Sequence, residues 1–187
     1  MEENRRNIIV DFDDFCDDNN RLDLLFQLKG LIPNFKVNLF TIMGKSSESF
    51  LNAIKEISWI DMIPHGWTHN TPRECENWKY DAICIPYLEN IERYGLTRGF
   101  KAPGWIIPDD MYQALLEHGY WIADQEYNND RRPSELKAYL LNKPGRIHGH
   151  IQNVCDNGLE ERFDYYASLR GNFKFIKEIM KNETNLI

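Results

Sequence analysis

Asn7-Ile8-Ile9-Val10-Asp11-Phe12-Asp13-Asp14 is the stretch from which the fold of this 187-residue chain is read. Asn7 to Phe12 reads as a buried strand, because a nearly unbroken apolar run marks a strand covered on both faces. It runs straight into two carboxylates. Outward from it, Asn20 to Lys29 reads as a helix stopped by Gly30, and Lys36 to Thr41 as a second strand. A helix over Ser47 to Ile57 leads to a third strand, Ser58 to Ile63. Thr71-Pro72-Arg73-Glu74 has the form of a capping box, which predicts a helix from Pro72, doubtful in continuity at Pro86, running to Arg93 and stopped by Gly95. Arg98 to Lys101 is a fourth strand. A helix from Pro108 to Gly119 and a fifth strand, Tyr120 to Ala123, follow. Ala138 to Leu141 and Gly145 to Ile151 read as further strands, Gly158 to Leu169 as a helix, and the tail from Phe173 as helical. Strands alternating with helices predict an α/β fold with a mainly parallel sheet. Six or seven units fit a distorted, incomplete (β/α) barrel better than a full eightfold barrel of ~250 residues. A doubly wound sheet is the runner-up. Without repeats or linkers, residues 1–187 read as one domain.

Composition narrows the function classes. Hydrophobic residues are 42% and charged residues 27%, which excludes disorder, collagen and coiled coil. Lys+Arg number 22 against 29 Asp+Glu, giving −7, so nucleic acid is not an expected partner. No apolar run approaches the ~18–20 residues that span a bilayer, and the N-terminus has no signal-like apolar region. The expectation is a cytoplasmic protein without a membrane partner. Cys16, Cys75, Cys84 and Cys155 show no C-x-x-C spacing and read as free thiols. No glycine-rich dinucleotide or P-loop pattern follows any strand.

In parallel α/β folds the chemistry lies at the carboxyl ends of the strands. Four of the five histidines fall there. Strand three runs out into His65-Gly66-Trp67-Thr68-His69, strand four into Lys101-Ala102-Pro103-Gly104-Trp105, strand five into Asp124, and the last strand carries His148-Gly149-His150. On a helical turn His65 and His69 would share one face and grip one metal. Asp13 and Asp14 offer a carboxylate ligand. Adjacent side chains of an extended strand face opposite ways, so one is free to bind metal while the other faces substrate. Asp, His and His leave open positions on a zinc-type ion, which activates water and polarises a carbonyl. A second carboxylate to take a proton and a histidine to return one complete a metal-assisted amide or ester hydrolase. His118 reads as a cation at a helix C-terminus.

In these motifs the chain resembles the polysaccharide deacetylase superfamily, carbohydrate esterase family four. Asp11-Phe12-Asp13-Asp14-Phe15 matches the core of its T-F-D-D-G motif without the Thr and Gly. His65-Gly66-Trp67-Thr68-His69 keeps the histidines of H-[ST]-x-x-H with Gly66 at the Ser/Thr position. Lys101-Ala102-Pro103-Gly104 stands for R-x-P-[FY], Trp121-Ile122-Ala123-Asp124 loosely for the Asp/Trp segment, and His148 or His150 for the histidine of L-x-H. The resemblance implies a distorted (β/α) barrel, one divalent ion, most simply zinc, held by Asp14, His65 and His69, and Asp13 as the base.

It further implies a histidine acid, expected to be His150 because that residue lies further along the strand, with Asp124 behind its ring. Lys101 replaces the Arg that orients the base and loses its planar fork. Trp67 and Trp105 are sugar-stacking platforms or core packing. Pro103, Gly104 and His148 complete the expected substrate site. The expected substrate is an N-acetylated saccharide. A non-sugar amide and a non-catalytic metal- and saccharide-binding homologue are the alternatives.

Overall fold

The computed structural model describes residues 6–124, 138–139, 144–154 and 156–183. The elements alternate as β1 (Asn7–Phe15), α1 (Leu22–Leu31), β2 (Val37–Thr41), α2 (Glu48–Lys55), β3 (Ile60–Pro64), α3 (Ile85–Glu92), β4 (Gly99–Lys101), α4 (Asp109–Glu117), β5 (Trp121–Ala123), β6 (Ala138–Tyr139), β7 (Arg146–His150), α5 (Phe163–Ser168), β8 (Asn172–Phe173) and α6 (Ile176–Glu183). Every pairing among the described strands is parallel. One sheet runs β3-β2-β1-β7 with β8 beside the start of β1, and a second runs β4-β5-β6. The barrel is therefore incomplete, with β3 and β4 adjacent in the chain but in different sheets. Eight strands are described rather than six or seven. The one not foreseen, β8, is two residues long and too short to carry a periodic signal.

Period-two alternation along β1 decides what lies inside the barrel. Ile8, Val10 and Phe12 pack into the large core beneath the helices. Ile9 packs with Phe40, Ile63, Trp121, Ala123, Ile176 and Met180. That inner cluster is closed by α6, whose Ile176 N–H donates to Asn38 Oδ1 at 2.9 Å. Lys177 adds an ion pair to Asp61 at 2.7 Å. Further along the strands Asp11, Asp13, Lys101 and Asp124 are buried polar residues. One strand thus feeds an apolar shell and a charged interior at once.

Several local expectations change. Gly30 lies inside α1, which ends at Leu31 as Pro33 forces Ile32 into an extended conformation. No helix starts at Pro72: a short 3₁₀ turn (Glu74–Asn77) and a π turn (Tyr80–Cys84) precede α3, and Pro86 sits in that helix's first turn. The helix expected from Gly158 begins only at Phe163. Residues 140–141 of the expected sixth strand, and Cys155, lie outside the described residues.

Candidate active site

Asp14 breaks the alternation that opened the chain's reading. The β1–β2 register shifts between Phe12 and Phe15, and Asp14 adopts φ 67°, a left-handed conformation that Asp tolerates better than most residues. The bulge turns Asp14 to the same side as Asp13. Their carboxylates stand 3.7 and 4.0 Å from His65 Nε2, so the expectation that they face opposite ways is corrected. Gln152 Nε2 donates to Asp14 Oδ2 at 2.6 Å, and Asn19 Nδ2 to the Asp14 carbonyl at 2.8 Å.

His65 and His69 are not on a helical turn. They bracket a loop in which Gly66 and His69 have φ 65° and 50°. Glu74 sets that loop: its carboxylate accepts from the backbone N–H groups of Trp67, Thr68 and His69 at 3.2, 2.7 and 2.9 Å, and from the Thr68 hydroxyl at 3.0 Å. The residue read as the end of a capping box thus braces the two histidines. Gly66 is part of the same device, because a Cβ there would lie 2.6 Å from Pro103 and 2.7 Å from the Glu74 carboxylate.

Asp14, His65 and His69 fit a divalent cation. His65 Nδ1 lies 2.9 Å from the Lys101 carbonyl, which only accepts, so Nδ1 carries the proton and Nε2 presents a lone pair. Burial pushes the His65 pKa down to about 4, so the ring is neutral near neutrality. That lone pair faces Asp14 Oδ1, which is buried without a hydrogen-bond partner and 3.4 Å from His69 Nε2. Acceptors facing acceptors call for a cation between them. Charge agrees: Asp11, Asp13, Asp14 and Asp124 are buried here against Lys101 and the Arg146 guanidinium, a deficit that one divalent ion balances.

Asp13 is the hub of the remaining groups. Lys101 Nζ, fully buried, lies 2.8 and 2.7 Å from its two oxygens. His148 and His150 place Nε2 at 3.7 and 4.0 Å from Oδ2. Burial opposes ionisation of Asp13, but Lys101, followed by His148, outweighs it and holds the carboxyl well below the usual range. Asp124 is not behind the His150 ring. It pairs with Lys101 at 3.0 Å and with Arg146, because its left-handed turn at φ 53° keeps it under the barrel mouth. The ring with a carboxylate behind it is His148, whose Nδ1 is 2.7 Å from Asp11. Burial pushes the His150 pKa down.

A cleft of about 550 Å³ opens over this cluster, walled by Asp13, Asp14, His65, His69, Gly104, Trp105 and His150 among others. Lys101, Asp124 and His148 sit beneath that wall. Three expected substrate residues are therefore off the cleft wall: His148, which turns its Nδ1 to Asp11 instead, and two that lie elsewhere. Pro103 packs behind Gly66, and Trp67 turns away to line an apolar pocket with Trp78 and Tyr87. Gly104 at φ 62° is required, since a Cβ would lie 2.0 Å from the Pro72 carbonyl oxygen. Sequence reasoning missed Asp11, Glu74, Arg146, Asn19 and Gln152. Arg146, two residues before His148, carried a parity signal.

No protein-family model and no curated protein matches the chain. Solved structures do match it. A family 4 acetyl xylan esterase from Clostridium thermocellum, in complex with a cobalt ion, superposes with TM-score 0.57 at 14% identity, over 96% of this chain and 92% of that one. A peptidoglycan N-acetylglucosamine deacetylase gives 0.56 at 17%, over 95% and 89%. A family 4 pseudoenzyme from Bacillus anthracis gives 0.55 at 12%, over 95% and 66%. The chain has the fold of the family 4 carbohydrate esterases, as the motif resemblance implied.

Proposed function

We propose that this chain, with the fold of the family 4 carbohydrate esterases, is a metal-dependent hydrolase that removes an acetyl group from an N-acetylated saccharide. The observation that carries the reading is the unpartnered Asp14 oxygen facing the Nε2 atoms of His65 and His69, next to the Lys101-held Asp13. A bound divalent ion such as zinc supplies activation of water and polarisation of the acyl oxygen. Asp13 accepts the proton of the attacking water. Lys101 keeps that carboxylate ionised as a point charge where the family motif has an arginine fork. His150, on the cleft wall, returns a proton to the leaving amine. Trp105 and Gly104 bound the space beside the acyl group. The saccharide assignment is supported by the two deacylating enzymes of like fold. No helix among the described residues is long and apolar enough to cross a membrane.

A non-catalytic metal-binding homologue is the second reading, favoured by the likeness to a pseudoenzyme and by Lys101 in place of the family arginine. One experiment separates them. Metal content is measured alongside acetate release from N-acetylglucosamine oligomers, acetylated xylo-oligosaccharides and a sugar-free N-acetylated amine. The expected result is one divalent ion per chain and acetate from the N-acetyl oligomers, both lost in His65→Ala. Release from the sugar-free amide alone moves the substrate class, and full metal without turnover on any substrate leaves the binding homologue.

A further inference from the structure

From Asp13 in the cleft wall downward, six side chains lie in a ring of alternating acidic and basic groups. Arg146 Nε reaches Asp11 at 2.6 Å, and Asp11 reaches His148 Nδ1 at 2.7 Å. His148 Nε2 lies 3.7 Å from Asp13, Asp13 2.7 Å from Lys101, and Lys101 3.0 Å from Asp124. Asp124 closes the circle on Arg146 Nη2 at 2.7 Å. The members come from β1, β4, β7 and the end of β5. The side chains of Asp11, Arg146 and Lys101 are fully covered and that of Asp124 nearly so.

We propose that Asp11, His148 and Arg146 are positioning residues for Asp13, and that the ring acts as one unit fixing that carboxylate from both sides. The inference rests on the hydrolase reading above, in which Asp13 is the base. Lys101 alone offers Asp13 a mobile point charge. A planar guanidinium instead presents several donors in a fixed fork, and here Arg146 spends that fork on Asp11 and Asp124 together. Asp124 aims Lys101 from one side while Asp11 aims His148 from the other. The His148 Nε2 atom is buried, makes no hydrogen bond and lies 3.7 Å from Asp13 Oδ2, whereas His150 lines the cleft, so His148 stands beside the base and leaves donation to His150.

The test exploits leaving groups. An aryl acetate departs without help from an acid, whereas an N-acetyl sugar needs one, but both need the base. In the metal-loaded full chain, Asp11→Asn and His148→Gln are expected to lower kcat on both substrates by on the order of 10–100-fold, as supporting partners of a reactive group commonly do, with KM and metal content unchanged. His150→Ala should fall on the N-acetyl sugar only. Asp11→Asn and Asp124→Asn do not touch each other, yet their effects on kcat should combine to less than the product of the two. Loss confined to the N-acetyl sugar in His148→Gln makes His148 the donor and overturns the inference, as does a fully multiplicative double variant. His148→Gln keeps the Asp11–Arg146 pair and decides the matter if Asp11→Asn does not fold. The nitrogen-15 NMR signals of His148 give a readout without turnover: they should report a proton on Nδ1 in the parent protein and change in Asp11→Asn. If the parent protein hydrolyses neither substrate the hydrolase reading fails, and unchanged His148 signals in Asp11→Asn defeat the ring on their own.

Discussion

Asp13 and Asp14 are neighbours in the chain whose nearest partners differ, and single substitutions can tell their roles apart. Asp14 meets His65 and His69 through an oxygen that has no hydrogen bond, while Asp13 is paired with Lys101. Asp13→Asn should therefore keep the metal and lose turnover by about 10²–10⁴-fold, the usual worth of a positioned proton acceptor. Asp14→Asn should lose the metal itself. Metal analysis with kcat on the same preparations checks both, and equal loss of metal and rate in Asp13→Asn would make Asp13 a ligand. The F-D-D sequence made the pair legible. That both carboxylates face one cluster was not, because strand alternation predicts opposite faces and only the left-handed turn at Asp14 overrides it.

At the scale of elements, the loop from His65 to His69 has little regular structure and is held by one carboxylate. Glu74→Gln should weaken metal affinity by about 10–100-fold while the fold stays intact, since it removes the charge that accepts three consecutive backbone N–H groups. Gly66→Ser restores the residue type of the family motif and should nevertheless weaken metal binding. Its Cβ would collide with Pro103 and with the Glu74 carboxylate, in a backbone already at φ 65°. Competition titration with a chromophoric chelator measures both. A Gly66→Ser variant that binds metal as tightly as the parent would show that the brace does not matter. Thr71-Pro72-Arg73-Glu74 satisfies the local rule for a helix start, but Glu74 finds better donors in the preceding loop. Local capping rules do not contain that competition.

Across the whole molecule, two consequences follow from burying four carboxylates and two cations at one end of a barrel. Metal bound to the folded chain alone stabilises it, by about 2.7 kcal/mol at a free concentration one hundred times Kd. Chelation should therefore lower Tm, and His65→Ala should remove that dependence. Acid should also unfold the protein through Asp11. Burial would raise its pKa, but Arg146 and His148 outweigh burial and hold it well below the usual carboxylate range. A depressed folded pKa means that its stabilisation is complete above the unfolded value of ~3.9 and is lost as pH falls through the folded value. Urea midpoints measured from pH 6 to pH 3 should drop below pH ~4 in the parent, and less steeply in Asp11→Asn. The sequence by itself determined the alternation of parallel strands and helices, and it put the aspartates, histidines and lysine of the candidate site at strand ends. Apolar runs and the polar residues that terminate them are local properties of the chain. Only the tertiary structure decided that Asp124 serves Lys101 and Arg146 rather than His150, and that Arg146 meets Asp11 across 135 positions. Which charges share a buried ring depends on strand order and register between distant segments, and no spacing within one segment encodes it.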